Sequence, residues 1–74
     1  MRRHYTVVLI PDTDEGGYTV TVPALPGCVT EGHTVQEALD MAKDAIRLYL
    51  EDVAASGEPV PEETAAPQLA AVDV

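Results

Sequence analysis

The sequence predicts a single α+β domain, in which a three-stranded antiparallel meander precedes one helix and a fourth strand returns to the sheet. Two observations predict this class. The first 32 residues hold short β-branched runs separated by turn residues, and residues 35–53 repeat apolar side chains at helical spacing. Because independent domains have about 50 to 250 residues, we expect one domain over residues 1–74.

The first three strands are predicted from composition and turns. Residues 4–10 (HYTVVLI) are β-branched and aromatic, as in a buried strand, and residues 18–22 (YTVTV) alternate as in a strand with one buried face. The polar segment 12–17, with paired glycines, joins them as a hairpin. A Pro-Gly turn then leads to a short third strand over residues 28–31.

The helix is predicted to begin after Thr34, which forms a capping box with Glu37. In this motif the threonine hydroxyl accepts from the Glu37 amide, and the Glu37 carboxylate accepts from the Thr34 amide. Gly57 is the expected C′ residue beyond the helix. One apolar stripe is expected to face the core, flanked by Ala38 and Leu50; it consists of Val35, Leu39, Ala42, Ile46, Tyr49 and Val53.

The C-terminal part has no helical pattern. Residues 58–67 contain three prolines and read as an extended connection. Residues 62–74 form an acidic tail containing alanine and proline, or end in a fourth strand over residues 68–74, which we favour. That strand would return to the sheet in a parallel direction through a right-handed crossover.

The charge balance excludes some classes of partner. Thirteen acidic residues against four basic ones give a formal net charge of −9. Such a surface repels phosphate, so we expect no direct nucleic-acid binding by this chain alone and a basic protein as partner. A core this small is marginal, so we expect a homo-oligomer, either a dimer or a tetramer.

Cys28 is the single cysteine and cannot form an internal disulfide, which is typical of a reducing compartment. The sequence has no signal-peptide pattern and no apolar run near the ~18 residues that span a membrane. We therefore expect a cytoplasmic protein without membrane contact.

The stretch from Tyr18 to Ala38, YTVTVPALPGCVTEGHTVQEA, closely resembles the signature of HicB-like antitoxins. The matching core runs from Pro23 through Leu25-Pro26-Gly27-Cys28 to Thr30, Gly32, Thr34 and Glu37-Ala38. With the flanking segments, the resemblance covers roughly residues 4–62. One departure is His33, where an acidic residue is usual in the family.

The resemblance implies a partial ribonuclease-H-like β-β-β-α-β fold. It also implies a partner, the HicA-type toxin, which is a small basic ribonuclease that cleaves messenger RNA and is blocked by its antitoxin. Many HicB antitoxins carry a C-terminal DNA-binding domain, and we expect this chain to be a short form without it. The alternative function is that of a solitary regulatory or ligand-sensing domain without a cognate toxin.

Two groups of apolar residues are candidate contacts for a partner or a second copy. Pro23, Leu25 and Pro26 form a loop that two prolines brace, so it would lose little entropy on binding. The alternative is that this loop packs over the end of the core. Met41, Ala45 and Leu48 form the second group: Met41 and Leu48 lie off the core stripe, although isolated apolar surface residues are common.

Residues with catalytic chemistry are sparse and poorly placed. Asp12, Asp14 and Glu15 cluster on a turn, where a solvated loop is the ordinary interpretation. Cys28 and His33 could in principle form an activated pair, but a buried structural cysteine and an exposed histidine are the favoured readings. We therefore expect no enzyme activity, no cofactor and no metal, and the metal-dependent nuclease is the weakest hypothesis.

Overall fold

The computed structural model describes residues 3–74. Its elements are β1 (Val8–Pro11), β2 (Tyr18–Thr21), β3 (Val29–Gly32) and α1 (Val35–Ala55). The strands form one antiparallel sheet in the order β1-β2-β3. The predicted α+β class, with three antiparallel strands followed by one helix, is confirmed.

One face of the sheet is covered by α1, which packs most closely on β3 and next on β2. In the sheet register Leu9 lies opposite Val20, and Val20 lies opposite Thr30. Because alternate side chains point to opposite faces, this row lies on the covered face, and Val20 is fully buried there. The neighbouring row ends in Val29, which is more than half exposed on the open face.

The first strand is shorter than predicted, because residues 4–7 are not paired in the sheet. Val8 lies opposite Thr21, so continuing the same register would place Thr6 opposite Pro23. Proline has no N–H to donate to the ladder, and the chain turns away at that residue. The pairing of β1 therefore ends at Val8.

The predicted start of the helix is confirmed, with one change in the capping box. The Thr34 hydroxyl accepts from the Glu37 amide at 3.0 Å. The Glu37 carboxylate accepts from the His33 amide at 3.2 Å, and not from the Thr34 amide as predicted. The Glu37 carboxylate therefore satisfies the backbone N–H of the residue before the cap, and it links the end of β3 to the first turn of α1.

The helix ends in a Schellman motif at Gly57, as its sequence predicts. Gly57 has a φ of 74°, a conformation that favours glycine. The Glu58 amide donates to the Val53 carbonyl at 3.2 Å, and the Gly57 amide donates to the Ala54 carbonyl at 3.1 Å. These two bonds satisfy carbonyls that the last turn would otherwise leave without partners.

The core consists of two adjoining clusters. The first contains Val20, Ala38 and Ala42, and the second contains Val22, Leu25 and Cys28. Partly buried side chains extend the second cluster along the helix: Ala45, Ile46, Tyr49 and Leu50.

The predicted phase of the helix is wrong at its N-terminal end. Val35 is 49% exposed and Leu39 is 38% exposed, whereas Ala38 is fully buried. The reason is a close approach between the helix and the end of β3. A Cβ atom at Gly32 would lie 2.5 Å from the Ala38 amide nitrogen, so the helix meets the sheet through its small residues.

The predicted fourth strand over residues 68–74 is absent, since none of these residues is in a strand. The chain returns earlier, beside residues 5 and 6 of the N-terminal segment. At this point Pro59 and Pro61 lack the N–H groups that a new strand would need. The tail interpretation of residues 62–74 is therefore the correct one.

Glu63 anchors this returning segment to the N-terminal segment. Its carboxylate accepts from the Thr6 amide at 2.6 Å and from the Thr6 hydroxyl at 2.7 Å. The Tyr5 hydroxyl donates to the Pro61 carbonyl, and Arg3 pairs with Glu62 at 3.6 Å. The two hydrogen bonds from Thr6 hold the pKa of Glu63 below its ordinary value.

This pKa predicts how the anchor responds to acid. Because the pKa of Glu63 is lower in the fold than in the unfolded chain, the anchor contributes stability above the unfolded value. It loses that contribution as the pH falls through the pKa of Glu63 in the folded chain.

We expect the NMR shift of the Thr6 amide to titrate with a midpoint below the ordinary glutamate pKa. The titration should vanish in Glu63→Gln and persist in the control Glu62→Gln. A midpoint at or above the ordinary value would contradict the anchor.

Candidate functional site

A concave surface of about 340 Å³ lies where the β1–β2 turn, the end of β3 and the first turns of α1 meet. We call it the acidic pocket. The Tyr18 side chain and Met41 contribute its apolar part. Four acidic residues line it: Asp12, Glu15, Glu31 and Glu37.

The turn on one side of the acidic pocket is held by its own first residue. The Asp12 carboxylate accepts from the Asp14 amide at 3.0 Å and from the Glu15 amide at 3.1 Å. Across the pocket, the hydrogen bond from the His33 amide fixes the Glu37 carboxylate. Local hydrogen bonds therefore position carboxylates on both sides before any partner arrives.

Among residues 3–74, the lining of the acidic pocket includes no lysine or arginine, and His33 is its one basic side chain. Carboxylates gathered in a concave surface concentrate their field and raise the local concentration of cations. The pocket is therefore suited to a lysine or arginine side chain presented by another molecule.

The acidic pocket continues onto an exposed face of α1. Met41 is 44% exposed and Leu48 is 62% exposed, and they lie two turns apart on one side of the helix. Asp44 lies between them on that side and pairs weakly with Arg47 at 3.6 Å. We call this surface, defined by Met41, Asp44 and Leu48, the acidic helix face.

The loop that contains Pro23, Leu25 and Pro26 is only partly on the surface. Leu25 is fully buried in the second core cluster, so its prediction as a contact residue is wrong, and the alternative of packing over the core is correct. Backbone bonds hold it there: its amide donates to Val22 at 2.9 Å, and its carbonyl accepts from Cys28 at 3.0 Å. Pro23 and Pro26 are exposed, and their contact role stays a prediction.

Ala45 is only partly exposed, and its contact role stays a prediction. It is partly buried against the second core cluster, because the helix is rotated toward its small residues. The candidate contacts that are exposed are Pro23, Pro26, Met41 and Leu48.

Cys28 and His33 lie in different environments and at opposite ends of β3. Cys28 is buried in the second core cluster, and burial raises the pKa of its thiol. His33 is exposed at the acidic pocket. Since a raised pKa keeps the thiol protonated, Cys28 is a structural residue and a poor nucleophile.

Within residues 3–74, no group of three or more histidine, cysteine, aspartate or glutamate side chains is arranged to hold a metal ion. Over the same residues, the structure contains no helix of the length and apolar character that crossing a membrane requires.

Three antiparallel strands covered on one face by a single helix place this chain in the class of small two-layer α+β domains. Comparison with known families goes further. The chain belongs to the HicB-like antitoxin family, because the family described as the HicB_like antitoxin of bacterial toxin-antitoxin system matches residues 5–73.

Individual relatives support this membership. A UPF0150 protein of Thermoplasma acidophilum is 49% identical, over 82% of this chain and 87% of its own length. A protein named Antitoxin HicB 1, from Photorhabdus laumondii, is 46% identical over 65% of this chain and 33% of its own length. Antitoxin HicB of Escherichia coli K12 is 44% identical over 65% of this chain and 37% of its own length. The match therefore spans about a third of each of these two named antitoxins.

Proposed function

We propose that this chain is an antitoxin that binds a small basic ribonuclease of the HicA type and stops its RNA cleavage. The observation that carries the proposal is the acidic pocket and its continuation along α1, in a chain of the HicB-like antitoxin family. The proposal gives the chain a binding role and assigns it no catalytic residue.

Charge supports a basic protein as the partner. A net charge of −9 on 74 residues attracts a basic protein over a distance and speeds its association. At physiological salt, attraction between exposed charges more than about 8 to 10 Å apart is largely screened. This association should therefore weaken as ionic strength rises.

The contact is proposed to combine the acidic pocket with the acidic helix face. Interfaces gain most of their affinity from a few large side chains that become fully buried, and polar groups around them add specificity. Met41 and Leu48 are the exposed apolar residues of this surface. Asp44 lies between them, and the carboxylates of the acidic pocket lie beside Met41. Pro26 is a further candidate, because it is exposed and its carbonyl accepts from the Tyr49 hydroxyl at 3.0 Å, which holds the loop against α1.

We expect Leu48→Asp to weaken binding of the basic partner by about tenfold or more, since it removes a central apolar contact. The partner is obtained by capture from the native cytosol at moderate salt and identified by mass spectrometry. Its affinity for each variant is then measured by calorimetry.

The matched control is Val35→Asp, which adds the same charge to the same helix at an exposed position off the acidic helix face. We expect its affinity to stay within about twofold of the unchanged chain. Equal losses in both variants would show that added charge, and not this face, governs binding. Capture of no basic protein would favour a solitary regulatory or ligand-sensing domain.

A further inference from the structure

A second concave surface, also of about 340 Å³, lies between the N-terminal segment and α1. We call it the N-terminal groove. Apolar side chains form most of it, with Tyr5 and Val7 on one side and Leu39, Ala42 and Ile46 on the other. Tyr5, Val7 and Ile46 also pack against the core clusters, and Ala42 belongs to the first cluster, so the groove opens directly onto the core.

The N-terminal groove is basic at its rim, unlike the rest of this acidic chain. Arg3, His4 and Lys43 line it, whereas the chain as a whole has only four lysine and arginine residues. Arg3 already pairs with Glu62. Lys43 has no ion pair with any residue in the described range, 3–74. The groove therefore fits a segment that is apolar and carries a negative charge.

The C-terminal segment of the chain has this chemistry. Leu69 is 86% exposed and Val72 is 85% exposed, and Val74 is also fully exposed. Asp73 lies among them. Exposed apolar side chains in such a run, next to an acidic residue, mark a contact surface that the single chain does not cover.

In the single chain this segment lies outside its own groove, because none of residues 68–74 is among the described residues that line it. Glu63 is fixed at Thr6, and Pro67 follows four residues later. Proline fixes its own φ and restricts the residue before it to extended conformations. The chain bends at residues 64–65, before Pro67. Exchange of such a terminal segment between copies is a low-cost route to a dimer.

We propose that residues 68–74 of one copy dock in the N-terminal groove of a second copy, and that the second copy's segment docks reciprocally in the first. Leu69 and Val72 contact the apolar floor around Leu39 and Ile46. Asp73 pairs with Lys43. The two chains form a symmetric dimer through exchanged C-terminal arms, on a surface separate from the acidic pocket.

Disulfide trapping tests the exchange directly. Two single variants, Leu39→Cys in the groove and Leu69→Cys in the arm, are mixed and oxidised, with Val72→Cys as a second arm position. We expect a cross-linked product of twice the 7.9 kDa chain mass that contains one chain of each kind. Each variant oxidised alone should give little of it, and buried Cys28 should stay reduced.

A disulfide that forms only within one chain, when Leu39→Cys and Leu69→Cys are combined, would overturn the exchange. It would show that each arm folds onto its own groove. No cross-link from either arm position would equally overturn it.

Light scattering provides an independent test. We expect the unchanged chain to have twice its single-chain mass, and Lys43→Asp to halve it. The paired change Lys43→Asp with Asp73→Lys should restore the dimer, and the control Arg47→Asp should leave it intact. Single-chain mass for the unchanged protein, or dimer mass for Lys43→Asp, would overturn the proposal.

Discussion

Replacing Gly32 with alanine is expected to lower the free energy of unfolding by about 3 kcal/mol or more, the upper range for an overpacked site. The added Cβ would lie 2.5 Å from the Ala38 nitrogen and 2.7 Å from its Cα. Both are backbone atoms, so the helix itself would have to move away from the sheet. A domain of this length has roughly 4 to 11 kcal/mol in total, so a loss of this size is a large fraction of its stability and should be plain in urea unfolding.

The control for this prediction is Gly16→Ala. Gly16 has a φ of 80°, but a Cβ there meets nothing within 4 Å. That variant should lose only about 1 to 2 kcal/mol, from backbone strain. If Gly32→Ala loses no more than Gly16→Ala, the close approach of helix and sheet is wrong.

The second large effect is expected for Leu25→Ala, which should cost about 2 to 5 kcal/mol of unfolding free energy. Leu25 is fully buried in the second core cluster, between Val22 and Cys28. Truncation leaves a cavity that the loop is poorly able to close, because backbone hydrogen bonds fix both of its ends.

Leu48→Ala makes the same change at a position that is 62% exposed. It should change the free energy of unfolding by less than about 0.5 kcal/mol, so the urea midpoint should move little. Similar losses in the two variants would show that Leu25 is not buried, and would favour its predicted role as a contact residue.

The local signals in the sequence predict most of this fold. Alternation in residues 18–22 and the capping threonine at 34 act over a few residues, so short-range chemistry is enough to place β2 and the start of α1. Gly57 ends the helix for the same reason. These elements needed no knowledge of what packs against them.

Long-range contacts account for the errors. The helix phase depends on the approach of Gly32 to Ala38, which makes small residues the centre of the buried face. A prediction from hydrophobicity alone instead places the larger side chains, Val35 and Leu39, on the buried face. The signal that could have corrected it was the pairing of Gly32 with the alanines at 38 and 42.

The candidate site was only partly visible in the sequence. Met41 and Leu48 are exposed where the helical spacing put them. The acidic pocket was missed, because it joins carboxylates from a turn, a strand and a helix that are distant in sequence. Asp12, Glu31 and Glu37 come together only when the sheet register and the helix position are known.

The most direct test of the proposed function is the rate of RNA cleavage by the HicA-type ribonuclease as this chain is added. The proposal predicts that cleavage falls to background when the chain is about equimolar with the ribonuclease. The Leu48→Asp variant should be needed in clear molar excess to give the same effect. Cleavage that continues at its full rate in an excess of the unchanged chain would contradict the antitoxin function.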